Sequence, residues 1–158
     1  MSEGNTNPQI AAFMTRLEML DAGGRARLKR CAGQSLSEAR QIGLFYSILP
    51  PGIPAYQEGI YFLVATLYPL ADSGGSGDFG AALRRAQQRN NRKGLDRRVE
   101  SLLDADEAQL PFRLRQAVRF ISSNQVKVNW FQLLDDLLRW NTFNRPVQRR
   151  WARSYFKE

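Results

Sequence analysis

The stretch Tyr56 to Leu70, Y-Q-E-G-I-Y-F-L-V-A-T-L-Y-P-L, restricts the fold more than any other. Ile60, Tyr61, Phe62, Leu63, Val64, Leu67 and Tyr68 cover every face of a helix, and a helix apolar all round must be enclosed by other helices. The apolar run from Gly59 to Ala71 includes Thr66 and Pro69 and is too short to span a bilayer, so it predicts a buried core helix. Pro54 begins this helix, and Pro50-Pro51-Gly52 ends the segment before it. No Lys or Arg occurs between Arg40 and Arg84. Positive charge is therefore kept for the segments around the central helix.

Those segments also read as helices. Residues 1–8 are expected to fray. From Pro8, the residues Ile10, Phe13, Met14, Leu17 and Leu20 form an amphipathic stripe. Asp21 reads as the N-cap of a helix from Ala22 to Ala32, and Gly33 as its stop. With only Ala26, Leu28 and Ala32 as apolar contacts, this helix should lie on the surface. Leu36-Ser37 opens a third helix with Ile42, Phe45, Tyr46 and Leu49 on its buried side. Further on, helices are predicted from Phe79 to about Asn90 and from Leu95 to Leu103. Asp104-Ala105-Asp106 caps the next, with Pro111 in its first turn, Leu114, Val118 and Ile121 inward, and Arg113, Arg115 and Arg119 outward. No segment of four or more residues alternates, and Val126-Lys127-Val128 is too short for a strand. The chain reads as all-α, with about eight or nine helices in two helical lobes and no sheet. The lobes are placed at 9–71 and 79–156, joined by a flexible Gly/Ser connector at 72–78, with one continuous domain as the alternative.

The chain of 158 residues carries 23 Lys plus Arg against 15 Asp plus Glu, a net charge of +8. A small protein this basic fits a polyanion: DNA, RNA or an anionic membrane surface. Nineteen of the cations are Arg and four are Lys. The planar guanidinium fits phosphate and stacks on bases, which favours nucleic acid over a membrane. A GC-rich genome raises arginine equally well, and composition leaves both readings open.

Histidine is absent and Cys31 is the single cysteine, so no Cys/His or Ser/His/Asp arrangement exists and the usual metal ligand is missing. A lone thiol fits a reducing compartment. The N-terminus M-S-E-G-N-T-N-P-Q shows no signal-peptide apolar segment, so a cytoplasmic location is expected. A nuclease working through carboxylates alone would need an acidic cluster to hold two ions. Asp104, Asp106 and Glu107 lie at a helix start, where acids complement the dipole. In the second cluster, Asp135/Asp136, Asp135 stands four residues before Arg139, the spacing of a solvated helical ion pair, and both clusters read as structural. No phosphate-binding glycine loop follows a strand. The expectation is a non-enzyme with no cofactor, no metal, no small-molecule substrate and no membrane partner.

The basic clusters remain. Residues 84–98 hold Arg84, Arg85, Arg89, Arg92, Lys93, Arg97 and Arg98 against one acid, Asp96. From Arg139 to Lys157 there are six basic residues and no acid. The stretch Asn129 to Phe156 contains all three tryptophans. Trp130, Leu133, Leu134, Leu137 and Leu138 make the stripe of one helix. In the next, Val147, Trp151 and Tyr155 form an aromatic face, with Arg145, Arg149 and Arg153 roughly opposite. Tryptophans at stripe positions beside leucines are assigned to packing, not to base stacking. Several basic faces without compensating acids point to phosphate binding. No finger, RNA-recognition motif or basic zipper predicts base-specific readout.

Three motifs carry a resemblance. They are L-D-A-G-G-R-A-R-L-K-R from Leu20, L-P-F-R-L-R-Q-A-V-R-F from Leu110, and W-F-Q-L-L-D-D-L-L-R-W from Trp130 followed by V-Q-R-R-W-A-R-S-Y-F from Val147. In order and over nearly the whole chain they resemble the CasB family, the small subunit of the type I-E CRISPR surveillance complex, Cascade. The resemblance implies an all-α, two-lobed, non-catalytic subunit present as two copies. It implies guide RNA, target DNA and the Cascade backbone and large subunits as partners. The role it implies is binding nucleic acid without sequence preference and stabilising the R-loop in antiviral defence. Carried over onto matching positions, the nucleic-acid-binding residues would be Arg25, Arg27, Lys29 and Arg30, then Arg113, Arg115 and Arg119, then Arg149, Arg150 and Arg153. Charge alone adds Arg84, Arg85 and Arg89. A free-standing helical DNA-binding regulator and a purely protein-binding scaffold are the alternatives.

Overall fold

A computed structural model describes residues 7–157. Among them lie nine α-helices: α1 (Pro8–Glu18), α2 (Ala22–Lys29), α3 (Gly43–Ile48), α4 (Glu58–Leu67), α5 (Phe79–Arg89), α6 (Leu95–Leu103), α7 (Leu110–Ser123), α8 (Trp130–Leu138) and α9 (Pro146–Phe156). No strand forms among the described residues; one isolated bridge joins Ser73 to Val128. The all-α expectation holds.

The central helix is α4. Every residue from Tyr61 to Leu67 is buried, including Thr66, whose hydroxyl donates to the Leu63 carbonyl. The helices α2, α7 and α8 pack around it, and α1 packs against α8. Aromatic rings meet edge-on in this core: Phe13 with Tyr61 at 5.0 Å, and Phe45 with Phe62 at 5.2 Å. The helix is shorter than expected. Tyr56 precedes it in a 3-10 turn at Ala55–Gln57 and is 83% exposed.

Local signals set most other boundaries. The Asn7 side chain accepts from the amides of Gln9 and Ile10, and Pro8 opens α1, so the expected fraying stops short of these two residues. The rest of that expectation, residues 1–6, lies outside the described residues. Asp21 caps α2 through the Gly24 amide at 2.7 Å. That helix ends at Lys29, and a turn carries the chain to Gly33, whose φ of +90° suits glycine. Asp78 caps α5 and Asn129 caps α8.

One helix was expected in the wrong place. Residues 36–42 are irregular, and α3 runs only over Gly43–Ile48. Ser37 is exposed and its hydroxyl meets Ser35 instead of capping a helix. Gln41 takes a φ of +59°, which no α-helix tolerates. Phe45 is buried as expected, but Ile42 and Tyr46 are exposed, and the Tyr46 hydroxyl donates to Glu58 at 2.8 Å.

The connector is tied to the chain before α8. The Val128 amide donates to the Asp72 carbonyl at 2.8 Å, and the Gly75 amide to the Val128 carbonyl at 3.3 Å. Beyond it, α5 and α9 form an intimate helix pair. A Cβ on Gly80 would stand 2.3 Å from the Trp151 carbonyl oxygen, so the backbones approach too closely for alanine. In a free helix Gly→Ala gains about 1 kcal/mol. Here we predict the opposite sign: Gly80→Ala should destabilise by about 1–3 kcal/mol as α9 is pushed away. Thermal denaturation checks this, and a raised Tm would show that the two helices are not held so close.

Candidate nucleic-acid interface

The C-terminal helix α9 is built on its aromatic face. Val147, Trp151 and Tyr155 are buried, while Arg149 and Arg153 are exposed. Trp151 lies 5.1 Å from both Phe79 of α5 and Trp140. Each tryptophan N–H finds a protein acceptor. Trp151 donates to Asp136, Trp140 to the Ala105 carbonyl at 3.0 Å, and Trp130 to the Ala71 carbonyl at 3.3 Å. The three rings are therefore core components, as the sequence assigned them, though only Trp130 and Trp151 hold stripe positions.

The cross-helix partners of Asp136 were missed. Asp136 lies on α8, is 0% exposed, and collects three side chains. Arg150 grips it with both terminal nitrogens at 3.1 and 2.6 Å, Trp151 Nε1 donates at 2.8 Å and Gln132 Nε2 at 2.9 Å. Asp78 adds a second carboxylate 3.6 Å from Arg150. Burial pushes the Asp136 carboxyl above its ordinary value, and the Trp151, Arg150 and Gln132 contacts offset this in part. The cluster ties α8, α9 and the start of α5 together. The Tyr155 hydroxyl adds a contact to Asp96 at 2.7 Å; burial, then this bond, raises its pKa.

The thirteen candidate cations fall into different situations. On α2, and on Arg30 just past its end, Arg25, Arg27, Lys29 and Arg30 are all exposed, with Gly24 and Leu28 turned inward. Arg25 donates to the Glu18 carbonyl at 3.0 Å. On α7, Arg119 is exposed, but Arg113 and Arg115 are half-buried or pinned against neighbours, which corrects the outward placement of those two. The cause is that α7 is flanked by α4, α5 and α6 and has little free arc. Arg113 donates to the Ser101 carbonyl at 2.6 Å, and the Arg115 stem crosses the backbone of Gly33. On α5, Arg84 donates to the Tyr155 carbonyl, Arg85 to the Ser76 carbonyl, and Arg89 to the Asn124 and Gln125 carbonyls. On α9, Arg150 is held by its carboxylates. Arg145, expected on the outer face with Arg149 and Arg153, stands instead at the N-cap position in a left-handed conformation, its side chain bound to the Leu103 carbonyl and Asp104.

Arg27, Lys29, Arg30, Arg119, Arg149 and Arg153 make no ion pair with any described residue. Arg149 lines a shallow groove with Glu100, Asp104 and Phe156. Arg85 and Arg89 meet Lys127 around the connector glycines Gly74 and Gly75. The basic faces thus sit on separate supports: α2 rests on α4, and α9 on α5 and α6. Asp135 pairs with Arg139 as its spacing predicted. Among the described residues no three acidic or thiol groups gather as a metal site. None of the described helices is long and apolar enough to cross a membrane.

The profile of the CRISPR-associated protein Cse2 matches residues 24–156. A curated CRISPR-associated protein Cse2 from Thermus thermophilus is 42% identical over 98 residues, which span 61% of this chain and 55% of that protein. The chain thus spans about half the length of that curated relative. The crystal structure of a Cse2-family protein, also from Thermus thermophilus, superposes with a TM-score of 0.81 at 31% identity, covering 100% of both chains. A chain in the crystal structure of E. coli Cascade bound to a PAM-containing dsDNA target shares the fold at 19% identity, with a TM-score of 0.67 and coverage of 94% and 97%.

Proposed function

The chain belongs to the CRISPR-associated Cse2 (CasB) family, and on that premise we propose that it is a non-catalytic small subunit of a type I-E Cascade complex. In this role it binds nucleic acid without sequence preference and stabilises the R-loop. Its partners are the guide RNA, the target DNA, the backbone and large subunits, and a second copy of itself. One observation carries the reading: α2 and α9 present exposed arginines and a lysine that form no ion pair with a described acid. The E. coli Cascade chain of the same fold, in a complex described as bound to dsDNA, supports the setting.

The physical logic is electrostatic. Guide–target pairing reads sequence and is close to balanced against the DNA duplex it replaces. Cations that neutralise phosphates of the separated strands then tip the balance. Each exposed pair is worth on the order of 1 kcal/mol or less, so several must act together. We place the phosphate contacts on Arg27, Lys29, Arg30, Arg119, Arg149 and Arg153. The half-buried or carbonyl-bound Arg25, Arg84, Arg85, Arg89, Arg113 and Arg115 are secondary, and Arg150 chiefly holds the fold.

Binding of the purified chain to two unrelated single-stranded oligonucleotides tests this. The expected result is similar affinity for both, with log affinity falling by about 0.7 per phosphate neutralised as log salt rises. For six contacts the loss between 50 and 200 mM salt is about two to three orders of magnitude. A strong preference for one of the two sequences would count for a sequence-specific regulator instead, and no binding at any salt would leave a protein scaffold.

A further inference from the structure

A cleft between α6 and α7 has a chemistry that phosphate binding alone does not need. Its floor is apolar, with Leu95, Val99 and Leu102 from α6 and Ala117 and Phe120 from α7. Five cations line it: Arg92, Lys93, Arg97, Arg98 and Arg113. No described Asp or Glu does. Phe112 stands at its edge, 58% exposed, a large ring that the core does not use.

Two of the cations are already ordered. The Arg92 guanidinium lies 5.9 Å from the centre of the Phe120 ring, within cation–π range. Arg113 is fixed by its 2.6 Å bond to the Ser101 carbonyl. The space measures about 230 Å³. That is below the roughly 300–1,000 Å³ of pockets that enclose a whole small ligand. It suits one flat group projecting from a larger anionic partner.

We propose that this cleft takes a single base of single-stranded nucleic acid, stacked against Phe112, with the flanking phosphates on the arginine rim. The inference rests on the nucleic-acid reading above and deepens it. A base in a duplex is already stacked and must be extruded at a cost of a few kcal/mol, whereas a single strand offers its bases freely. Stacking on an aromatic side chain is sequence-tolerant, because every base has a π-face. The cleft therefore adds strand-state selectivity without sequence selectivity.

The test compares two short oligonucleotides of equal length and phosphate count, one normal and one abasic, titrated against the full chain and its Phe112→Ala variant. Stacking of one base is worth about 1–3 kcal/mol, so the normal strand should bind roughly 5- to 150-fold tighter than the abasic one. In Phe112→Ala the difference should fall to about twofold or less, while circular dichroism stays the same. Salt-dependent but equal binding of both strands by the parent chain would overturn the cleft proposal and leave the wider reading intact. A base preference that survives in Phe112→Ala would overturn it too, because the base would be stacking elsewhere. Equal binding of both strands together with Phe112-dependent binding of a glutamate-rich, phenylalanine-bearing peptide would overturn it in favour of a protein-docking site. No binding of either strand would overturn both.

Discussion

Asp136→Ala is expected to lose about 3 kcal/mol of folding stability, at the lower end of the cost of breaking a buried ion pair. The variant leaves the Arg150 guanidinium and the Trp151 N–H without their shared acceptor. Trp151 is 1% exposed, so its orphaned N–H pays a full desolvation penalty. Arg150 is 37% exposed at the side chain and keeps Asp78 at 3.6 Å, which is why the upper end of the range does not apply. Urea denaturation checks the value. A change under about 0.5 kcal/mol, the size of an ordinary surface substitution, would show that the cluster is not what joins α8 to α9.

The same cluster predicts a pH dependence with a definite sign. The folded Asp136 carboxyl is raised above its ordinary value, mainly by burial. Its charged form is therefore a liability that the Arg150 contact reduces. In an Arg150→Ala chain the carboxylate is left buried with less compensation. The stability gap between parent and variant should be widest at neutral pH. It should narrow as pH falls through the raised folded value, because the protonated acid no longer needs Arg150. A gap that widens on acidification contradicts this assignment.

Arg149 and Arg153 behave differently. Both are exposed on the far side of α9 from Trp151 and make no ion pair with any described residue. Arg149→Ala with Arg153→Ala should leave stability within about 0.5 kcal/mol. If each cation neutralises one phosphate, the salt slope should fall by about 1.4. Affinity should drop by about tenfold at low salt, on the order of 0.7 kcal/mol per lost contact. Measuring both binding and melting separates this pair from Arg150, the neighbour whose loss should act on the fold. An unchanged salt slope would remove α9 from the binding surface.

Much of the fold was legible because its signals are local. The Asp21 cap, Pro111 in the first turn of α7 and the Val147/Trp151/Tyr155 stripe all act within one or two turns. Residues 36–42 misled because Ser37 looks like a cap, while the residue that breaks the helix is Gln41, whose positive φ has no sequence signature. The cross-helix partners of Asp136 were illegible for a different reason. Spacing within α8 pairs Asp135 with Arg139 and reaches only Gln132 among the partners of Asp136; Arg150 and Trp151 lie on another helix, 14 and 15 positions along the chain. Arg150 likewise stood beside Arg149 among the nucleic-acid-binding residues that the resemblance implied. Only the fold shows that one of the two turns inward. Exposure and ion pairing, not charge count, sort the basic residues into those that hold helices together and those left for a partner.

The central claim is that these remaining cations stabilise separated strands inside the effector complex. The direct measurement is R-loop formation on a target DNA by the reconstituted complex, with and without this chain, across a salt series. The account predicts that the chain raises the R-loop equilibrium constant by about tenfold or more near physiological ionic strength, and that the advantage shrinks steadily as salt rises. An R-loop equally stable with and without the chain would contradict it, as would an advantage that salt does not touch.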